Sequence, residues 1–142
     1  MATPLEPAGG GPSPAAVSPY DDLSVGKKLF REGNFSLAER AFRRAAETDP
    51  SNSEAWVGLA ASYDRQRRFD LADDAYAQAI KVAGPTPAIL NNQGHSYILR
   101  GDYARAREKL LAAQAKDPAN PYISANLALL EESQRTRKRS GS

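Results

Sequence analysis

The chain repeats itself at an interval of 34 residues, and this self-similarity restricts its fold more than any other feature. Shifting the sequence by one interval aligns four columns of similar residues in three successive units. The columns are Phe35, Phe69 and Tyr103; Ala38, Ala72 and Ala106; Phe42, Tyr76 and Leu110; and Ala45, Ala79 and Ala113. A unit this short cannot bury its apolar face alone, so the repeat predicts a stack of units.

Each unit has the apolar spacing of two consecutive helices. In the middle unit, residues of one face lie three or four positions apart, as at Trp56, Leu59, Ala60 and Tyr63 and then at Ala72, Tyr76 and Ala79. Capping side chains, often followed by proline, mark the helix starts at Ser18-Pro19, Ser51-Asn52, Thr86-Pro87 and Asn120-Pro121. The pattern predicts repeats over residues 19–52, 53–86 and 87–120, and a capping helix over 121–135 with no partner helix after it.

The turn inside a unit is marked by glycine followed by a capping residue. Gly33-Asn34 and Gly101-Asp102 have this form, in which glycine takes the left-handed conformation and the next residue caps the second helix. The middle unit has Arg67-Arg68 at the same place. We expect Asp70 to supply the missing cap there.

The two ends of the chain differ in composition from the repeats. Residues 1–19 contain five prolines and the run Gly9-Gly10-Gly11, which predicts a disordered leader. Four basic residues are grouped at Arg135, Arg137, Lys138 and Arg139, and we expect residues 136–142 to form a basic disordered tail. No stretch is long and apolar enough to span a bilayer, and the absence of Cys excludes disulfides and thiolate chemistry.

The middle unit resembles the tetratricopeptide-repeat (TPR) signature. The resemblance rests on Trp56-x2-Leu59-Ala60-x2-Tyr63, on Ala72-x3-Tyr76 and on the closing prolines Pro50 and Pro118. It covers residues 19 to about 134, with Asp22 and Leu90 standing where the signature has Trp and Gln93 where it has Leu. It implies an all-α TPR solenoid of three helix-turn-helix repeats and a C-terminal capping helix, with the TPR domain over residues 20–134.

Three longer segments of the sequence resemble one particular group of TPR proteins. SVGKKLFREGNFSLAERAFRRA, AWVGLAASYDRQRRFDLADDAYAQAI and ILNNQGHSYILRGDYARAREKL look like the TadD-type proteins of tight-adherence (Flp) pilus assembly. This likeness implies a bacterial assembly factor for the pilus secretin machinery, located at the periplasmic face of the outer membrane. Members of that family carry a leader and a lipidated Cys, which this sequence does not show. Either the leader has been removed or the assignment to this family is wrong, and the alternative location is cytoplasmic.

A second stripe on the first helices would face the concave groove of a TPR protein. Its predicted partner-binding residues are Tyr20, Leu23, Lys27, Arg31, Glu54, Val57, Asp64, Arg65, Asn91, Asn92, His95, Tyr122 and Asn126. Phe30, Ala61, Ile98 and Leu99 share the stripe. Apolar anchors mixed with hydrogen-bonding groups suit a bound peptide. The alternatives are packing between repeats for the apolar members and a solvated helix face for the polar ones.

The sequence lacks the residues of several other kinds of site. TPR domains that hold a chaperone's terminal carboxylate use a clamp of Lys, Asn, Asn, Lys and Arg, and the corresponding positions here are Leu23, Lys27, Gly58, Ala88 and Asn92. His95 is the single histidine, so we expect no metal site, no cofactor and no catalytic set. The sequence therefore predicts a non-enzymatic scaffold for a protein or peptide partner. The alternative is a cytoplasmic TPR adaptor or regulator whose basic tail contacts nucleic acid or anionic lipid.

Overall fold

The computed structural model describes residues 21–141, so the predicted leader and Tyr20 lie outside the described residues. The described residues form seven α-helices and no strands. The helices are α1 (Asp22–Arg31), α2 (Phe35–Thr48), α3 (Ser53–Arg65), α4 (Phe69–Ala83), α5 (Pro87–Leu99), α6 (Tyr103–Lys116) and α7 (Pro121–Gly141). The chain divides into two compact units, one ending at Gly84 and the other beginning at Pro85.

The first unit contains α1 to α4, and its core is built around aromatic rings. Phe42 and Tyr76 are almost completely buried, and α2 and α4 both pack against α3. Gly58 lies directly against the Phe42 ring, and a Cβ at this position would overlap the ring. The small residue therefore allows α3 to approach α2 closely enough to enclose the aromatic side chain.

Side-chain caps begin two helices of this unit. The Asp21 carboxylate accepts a hydrogen bond from the Ser24 N–H at 2.7 Å, so α1 begins after Asp21. The Asn52 side chain accepts from the Glu54 N–H at 3.0 Å and caps α3 as its position predicts. Each cap satisfies a backbone donor that the first turn of a helix leaves without a partner.

The turn between α3 and α4 differs from the prediction. Arg67 takes the left-handed conformation with φ of 59°, where Gly33 and Gly101 have φ of 80° and 77° in the other repeats. The N-cap of α4 is Arg68, which makes no side-chain capping bond, so the expectation that Asp70 caps this helix is wrong. Asp70 lies within the first turn, one residue past the helix start, and so beyond the capping position.

The second unit contains α5 to α7, and aliphatic side chains fill its core. Leu110, Ile123 and Leu130 are each 1% exposed or less, and α7 packs against both α5 and α6. The Thr86 hydroxyl caps α5 by accepting from the Ile89 N–H at 3.2 Å. Gly94 lies against Leu110 as Gly26, two repeat intervals earlier, lies against Phe42, so the same close approach recurs with a different large side chain.

Helix α7 is longer than the sequence predicts. It continues to Gly141, so residues 136–141, which were expected to be disordered, are helical. Arg137 holds this end against the rest of the unit, because its Nη1 donates to the Gly101 carbonyl at 3.0 Å and its guanidinium lies over the Tyr103 ring. Arg135 pairs with Glu132 one turn earlier. No helix among residues 21–141 has the length and apolar content to cross a membrane.

Candidate partner-binding surface

In the first unit, the predicted stripe is organised by an ion pair between two first helices. The Lys27 ammonium on α1 contacts the Glu54 carboxylate on α3. Burial lowers the pKa of Lys27 because it removes water from the ammonium, and this exceeds the opposing attraction of Asp21. The two charges offset each other, so this part of the surface does not present an isolated cation.

Near the C-terminal end of α3, two predicted contact residues have partners inside the chain. Asp64 is 3% exposed and accepts a hydrogen bond from the Tyr76 hydroxyl at 2.8 Å. The Arg65 guanidinium lies 5.4 Å from the ring centroids of both Phe30 and Phe35. Desolvation lowers the pKa of Arg65. Asp64 therefore holds α4 against α3, and Arg65 covers two aromatic rings.

The remaining members of the stripe in this unit differ in exposure. Val57 is 1% exposed and belongs to the interior, as the packing alternative describes. Phe30 and Ala61, on the same stripe, are also buried. Leu23 is half-buried and Arg31 is exposed. In the first unit, the part of the predicted stripe that remains accessible to a partner therefore consists of Leu23, Lys27, Arg31, Glu54 and Arg65.

In the second unit, an amide pair takes the place of the ion pair. The Asn126 Nδ2 on α7 donates to the Asn91 Oδ1 on α5 at 2.9 Å, and both side chains are buried. The Asn92 Nδ2 donates to the Ala88 carbonyl one turn earlier at 2.9 Å. Asn91 and Asn126, which are far apart in sequence, are thus hydrogen-bonded to each other. Asn92 instead donates to the backbone of its own helix.

One acceptor of this pair is unused. The Asn126 Oδ1 has no hydrogen-bond partner within residues 21–141, although it is shielded from water. A buried carbonyl oxygen without a donor is unfavourable by about 1–3 kcal/mol. Tyr122, one turn earlier on α7, is 37% exposed, and His95 on α5 is half-buried. Ile98 is buried and Leu99 half-buried on the same helix.

The five positions of a carboxylate clamp hold different groups in this chain. Leu23, Gly58 and Ala88 have no charge, and Lys27 is paired with Glu54. Asn92 uses its amide N–H on its own helix. No three His, Cys, Asp or Glu side chains in the described part of the chain are grouped to hold a metal ion.

Sequence reasoning missed a polar centre at Glu39. This side chain is 6% exposed, and its carboxylate is contacted by Arg43, by the Arg68 Nη1 at 3.1 Å and by the Gln66 Nε2 at 3.0 Å. It therefore joins α2 to the turn between α3 and α4. The burial of Glu39 could have been predicted from its place beside Ala38 on the repeated apolar face. A single acidic residue on such a face indicates a charge that is paired inside the protein and not solvated.

A family model described as tetratricopeptide repeat matches residues 26–86, 59–121 and 91–136. The chain belongs to the tetratricopeptide-repeat family. Its fold class is the predicted one, an all-α TPR solenoid of three repeats with a C-terminal capping helix. Helix-pair repeats of this kind are typical of scaffolds for protein–protein interaction.

One similar protein is the type IV pilus assembly protein PilF of Pseudomonas aeruginosa, which is 28% identical over 110 residues. That alignment covers 76% of this chain and 44% of PilF, so this TPR chain spans less than half the length of PilF.

Two solved structures share the fold. The Cut9-Hcn1 hetero-tetramer of APC/C matches with a TM-score of 0.70 and 25% identity, over 80% of this chain and 22% of that one. The Yersinia enterocolitica type III secretion chaperone SycD, in complex with a peptide of the translocator YopD, matches with a TM-score of 0.65 and 18% identity. That match covers 85% of this chain and 92% of SycD.

Proposed function

We propose that this TPR chain is a non-enzymatic scaffold that binds a partner polypeptide through the first helices of its repeats, with each unit contributing its own contacts. The observation that carries the proposal is the unused Asn126 Oδ1 beside the Asn91–Asn126 bond. This oxygen is shielded from water, so a peptide N–H would reach it only after the Asn126 side chain turns outward, and it would then satisfy an acceptor that residues 21–141 leave without a donor. Amide side chains suit this role because they pair with a peptide backbone regardless of its sequence.

The accessible neighbours of the amide pair indicate how the partner's side chains would be held. Tyr122 offers an aromatic face with a polar tip, and such residues dominate contact surfaces between proteins. In the first unit, Leu23 and Arg31 add an apolar anchor and a cation. We therefore expect the partner to alternate apolar anchors with polar groups.

The charges of the first unit argue against a partner that ends in an acidic C-terminus. Lys27 is already paired with Glu54, and Leu23 and Gly58 cannot hold a carboxylate. Separating the Lys27–Glu54 pair to bind a new carboxylate would leave Glu54 without its cation. An internal segment of the partner is therefore the better fit.

The cellular role we propose is assembly of a tight-adherence pilus or a related secretion system in bacteria. The TadD-type segments support it, and so do the similarity to a type IV pilus assembly protein and the fold shared with a secretion chaperone. On this proposal the chain acts at the periplasmic face of the outer membrane, and its partner belongs to the pilus secretin machinery.

The competing role, a cytoplasmic adaptor whose basic end contacts nucleic acid or lipid, receives less support. Two of the four grouped basic residues are engaged inside the chain, since Arg135 pairs with Glu132 and Arg137 binds the Gly101 carbonyl. Binding a phosphate would require these arginines to exchange existing partners.

The test compares how much of each partner protein is recovered by two variants, each of which carries three substitutions to alanine. The surface variant carries Lys27→Ala, Arg31→Ala and Tyr122→Ala, and the control variant carries Arg105→Ala, Lys109→Ala and Leu111→Ala on α6. Each is immobilised and exposed to an envelope extract of a bacterium with tight-adherence pili, and the bound proteins are quantified by mass spectrometry. We expect the surface variant to recover at least tenfold less of a specific partner than the wild type does, and the control variant to recover as much as the wild type.

Two results would contradict the proposal. Equal recovery by the surface variant and the wild type would exclude binding through the first helices. If the lost partner had no connection with a pilus or secretion machine, the scaffold role would survive and the tight-adherence role would be wrong. Circular dichroism confirms that both variants are folded before recovery is compared.

A further inference from the structure

The second helices of the first unit carry a stripe of exposed residues that the partner-binding surface does not use. On each helix the stripe occupies positions separated by three, four and three residues, which places its members on one face. The α2 stripe consists of Leu37, Arg40, Arg44 and Glu47, and the α4 stripe consists of Leu71, Asp74, Gln78 and Lys81. All eight residues are exposed.

The two stripes occupy equivalent repeat positions but have opposite charge patterns. Both begin with a leucine, which is 50% exposed at Leu37 and 37% exposed at Leu71. The next position holds Arg40 on α2 and Asp74 on α4. The last holds Glu47 on α2 and Lys81 on α4. One stripe is thus the charge complement of the other, position by position, except that Arg44 corresponds to the neutral Gln78.

Most of these charges have no ion-pair partner in the described part of the chain. Arg40, Glu47, Asp74 and Lys81 form no ion pair with any residue between 21 and 141. Arg44 is the exception and contacts the Asp22 carboxylate of α1 at 3.1 Å. Two exposed leucines and four unpaired charges on one side of a small unit are therefore available to another molecule.

The two helices run in the same direction, and their stripes share one side of the unit because equivalent positions of stacked repeats face the same way. Short connections make α2 antiparallel to α3 and α3 antiparallel to α4, and both outer helices pack against α3. A two-fold axis parallel to these helices would place α2 of one copy against α4 of the other, with both pointing the same way. Leu37 would then meet the second copy's Leu71, Arg40 its Asp74 and Glu47 its Lys81.

The other two-fold arrangement is unfavourable. An axis perpendicular to the helices would place each α2 antiparallel to its symmetry mate, so that Arg40 of one copy would face Arg44 of the other. Like charges in direct opposition destabilise an interface. The charge order along the stripes therefore selects the parallel arrangement.

We propose that the outer face of α2 and α4 is a self-association surface, and that its occupant is a second copy of this chain in parallel two-fold pairing. The two stripes offer eight residues per copy, fewer than the roughly 20–30 residues per side of a standard interface. The association is consequently weak and reversible, and it leaves the first helices free to hold a partner polypeptide.

Disulfide cross-linking tests the pairing directly, because the natural chain has no cysteine. We expect an equimolar mixture of Leu37→Cys and Leu71→Cys chains to form covalent dimers at least tenfold faster than either variant alone under mild oxidation. The control is Leu111→Cys on α6, where the leucine is 48% exposed, as accessible as Leu37 but outside both stripes. Cross-linking of the Leu37→Cys variant alone as rapid as that of the mixture would mean that α2 meets its own copy and not α4, and it would overturn the proposal.

A charge exchange provides the second test, read by sedimentation velocity over a concentration series. Arg40→Asp and Asp74→Arg should each raise the dimer dissociation constant at least tenfold, because every single change places two pairs of like charges in contact. The double variant restores both pairs and should return to within about threefold of the wild type. A wild-type chain that stays monomeric at millimolar concentration, or a double variant no better than the singles, would refute self-association through this face.

Discussion

The two compact units build the same helix pairs with different side-chain chemistry. In the first unit, aromatic rings fill the core and an ion pair joins the first helices, as seen at Phe42 and at Lys27 with Glu54. In the second, aliphatic side chains fill the core and the Asn91–Asn126 amide bond joins the first helices. The comparison teaches that the repeat determines the backbone and which core positions hold large or small side chains. The chemical type of the core side chains, and of the groups that join the first helices, differs between the two units.

The largest expected effect comes from adding a methyl group where a helix approaches a large side chain. Gly58→Ala would drive a Cβ into the rigid Phe42 ring, and we expect a loss of about 3 kcal/mol in the free energy of unfolding. Gly94→Ala meets the flexible Leu110 side chain, so we expect a smaller loss of about 1–2 kcal/mol. Urea unfolding of both variants measures the difference.

The control for this pair is Gly141→Ala, where nothing lies near the added methyl. Its free energy of unfolding should stay within about 0.5 kcal/mol of the wild type. Equal losses for Gly58→Ala and Gly94→Ala would mean that a rigid ring and a flexible leucine side chain oppose an added methyl group equally.

The fold was predictable because it depends on the features that repeat. The small positions at Gly26 and Gly94 and the large ones at Phe42 and Leu110 are each separated by two repeat intervals, and such a pattern is compatible with one backbone. The exceptions lie where a residue departs from its column. Arg67 replaces a glycine without changing the backbone conformation, and no local rule indicates that an arginine takes φ of 59° there.

The second prediction concerns two variants, each of which removes one buried hydrogen bond between helices, the first in the second unit and the other in the first unit. Asn126→Ala removes the bond that the Asn126 Nδ2 donates to the buried Asn91 Oδ1, and we expect a loss of about 2 kcal/mol in the free energy of unfolding. Tyr76→Phe deprives the buried Asp64 carboxylate of a hydroxyl donor, and we expect a similar loss. Ser124→Ala on the exposed face of α7 serves as the control, and a loss as large there would show that α7 is generally sensitive to substitution.

The candidate site was less predictable than the fold, because helical spacing shows which side chains share a face but not which of them are enclosed. Val57 and Asp64 lie on the predicted stripe and are nevertheless buried, and Asp64 accepts a hydrogen bond from Tyr76 on α4. The Asn91–Asn126 bond joins residues 35 positions apart, and no spacing rule predicts that contact. The helical end of α7 depends likewise on a distant contact, from Arg137 to Gly101.

The third prediction exchanges the residues at the turn. Arg67→Gly removes the strain of a left-handed arginine but also its contact with the Phe69 ring, and we expect a net gain of about 0.5–1 kcal/mol. Gly101→Arg imposes the same strain on the second unit, and we expect a loss of about 1 kcal/mol. Thermal unfolding should show the two melting temperatures moving in opposite directions. A destabilised Arg67→Gly variant would mean that the ring contact outweighs the strain.

The smallest effect concerns the pH dependence of the Lys27 contact in the first unit. Because the folded pKa of Lys27 lies below 10.5, the unfolded chain binds the proton more tightly between these two values, and the stability contributed at Lys27 rises with pH there. Below the folded pKa the full desolvation cost is present. We therefore expect the stability of the wild type relative to Lys27→Met to increase as the pH is raised toward 10.5.

The measurement is the difference in free energy of unfolding between wild type and Lys27→Met at several alkaline pH values, which cancels the titration of groups common to both chains. The matching difference for Asn126→Ala should stay constant over the same range, because neither Asn126 nor Asn91 titrates. If the Lys27 difference instead decreased with pH, attraction to Glu54 would outweigh desolvation. The first unit would then depend on its ion pair for stability, as the second depends on its amide bond.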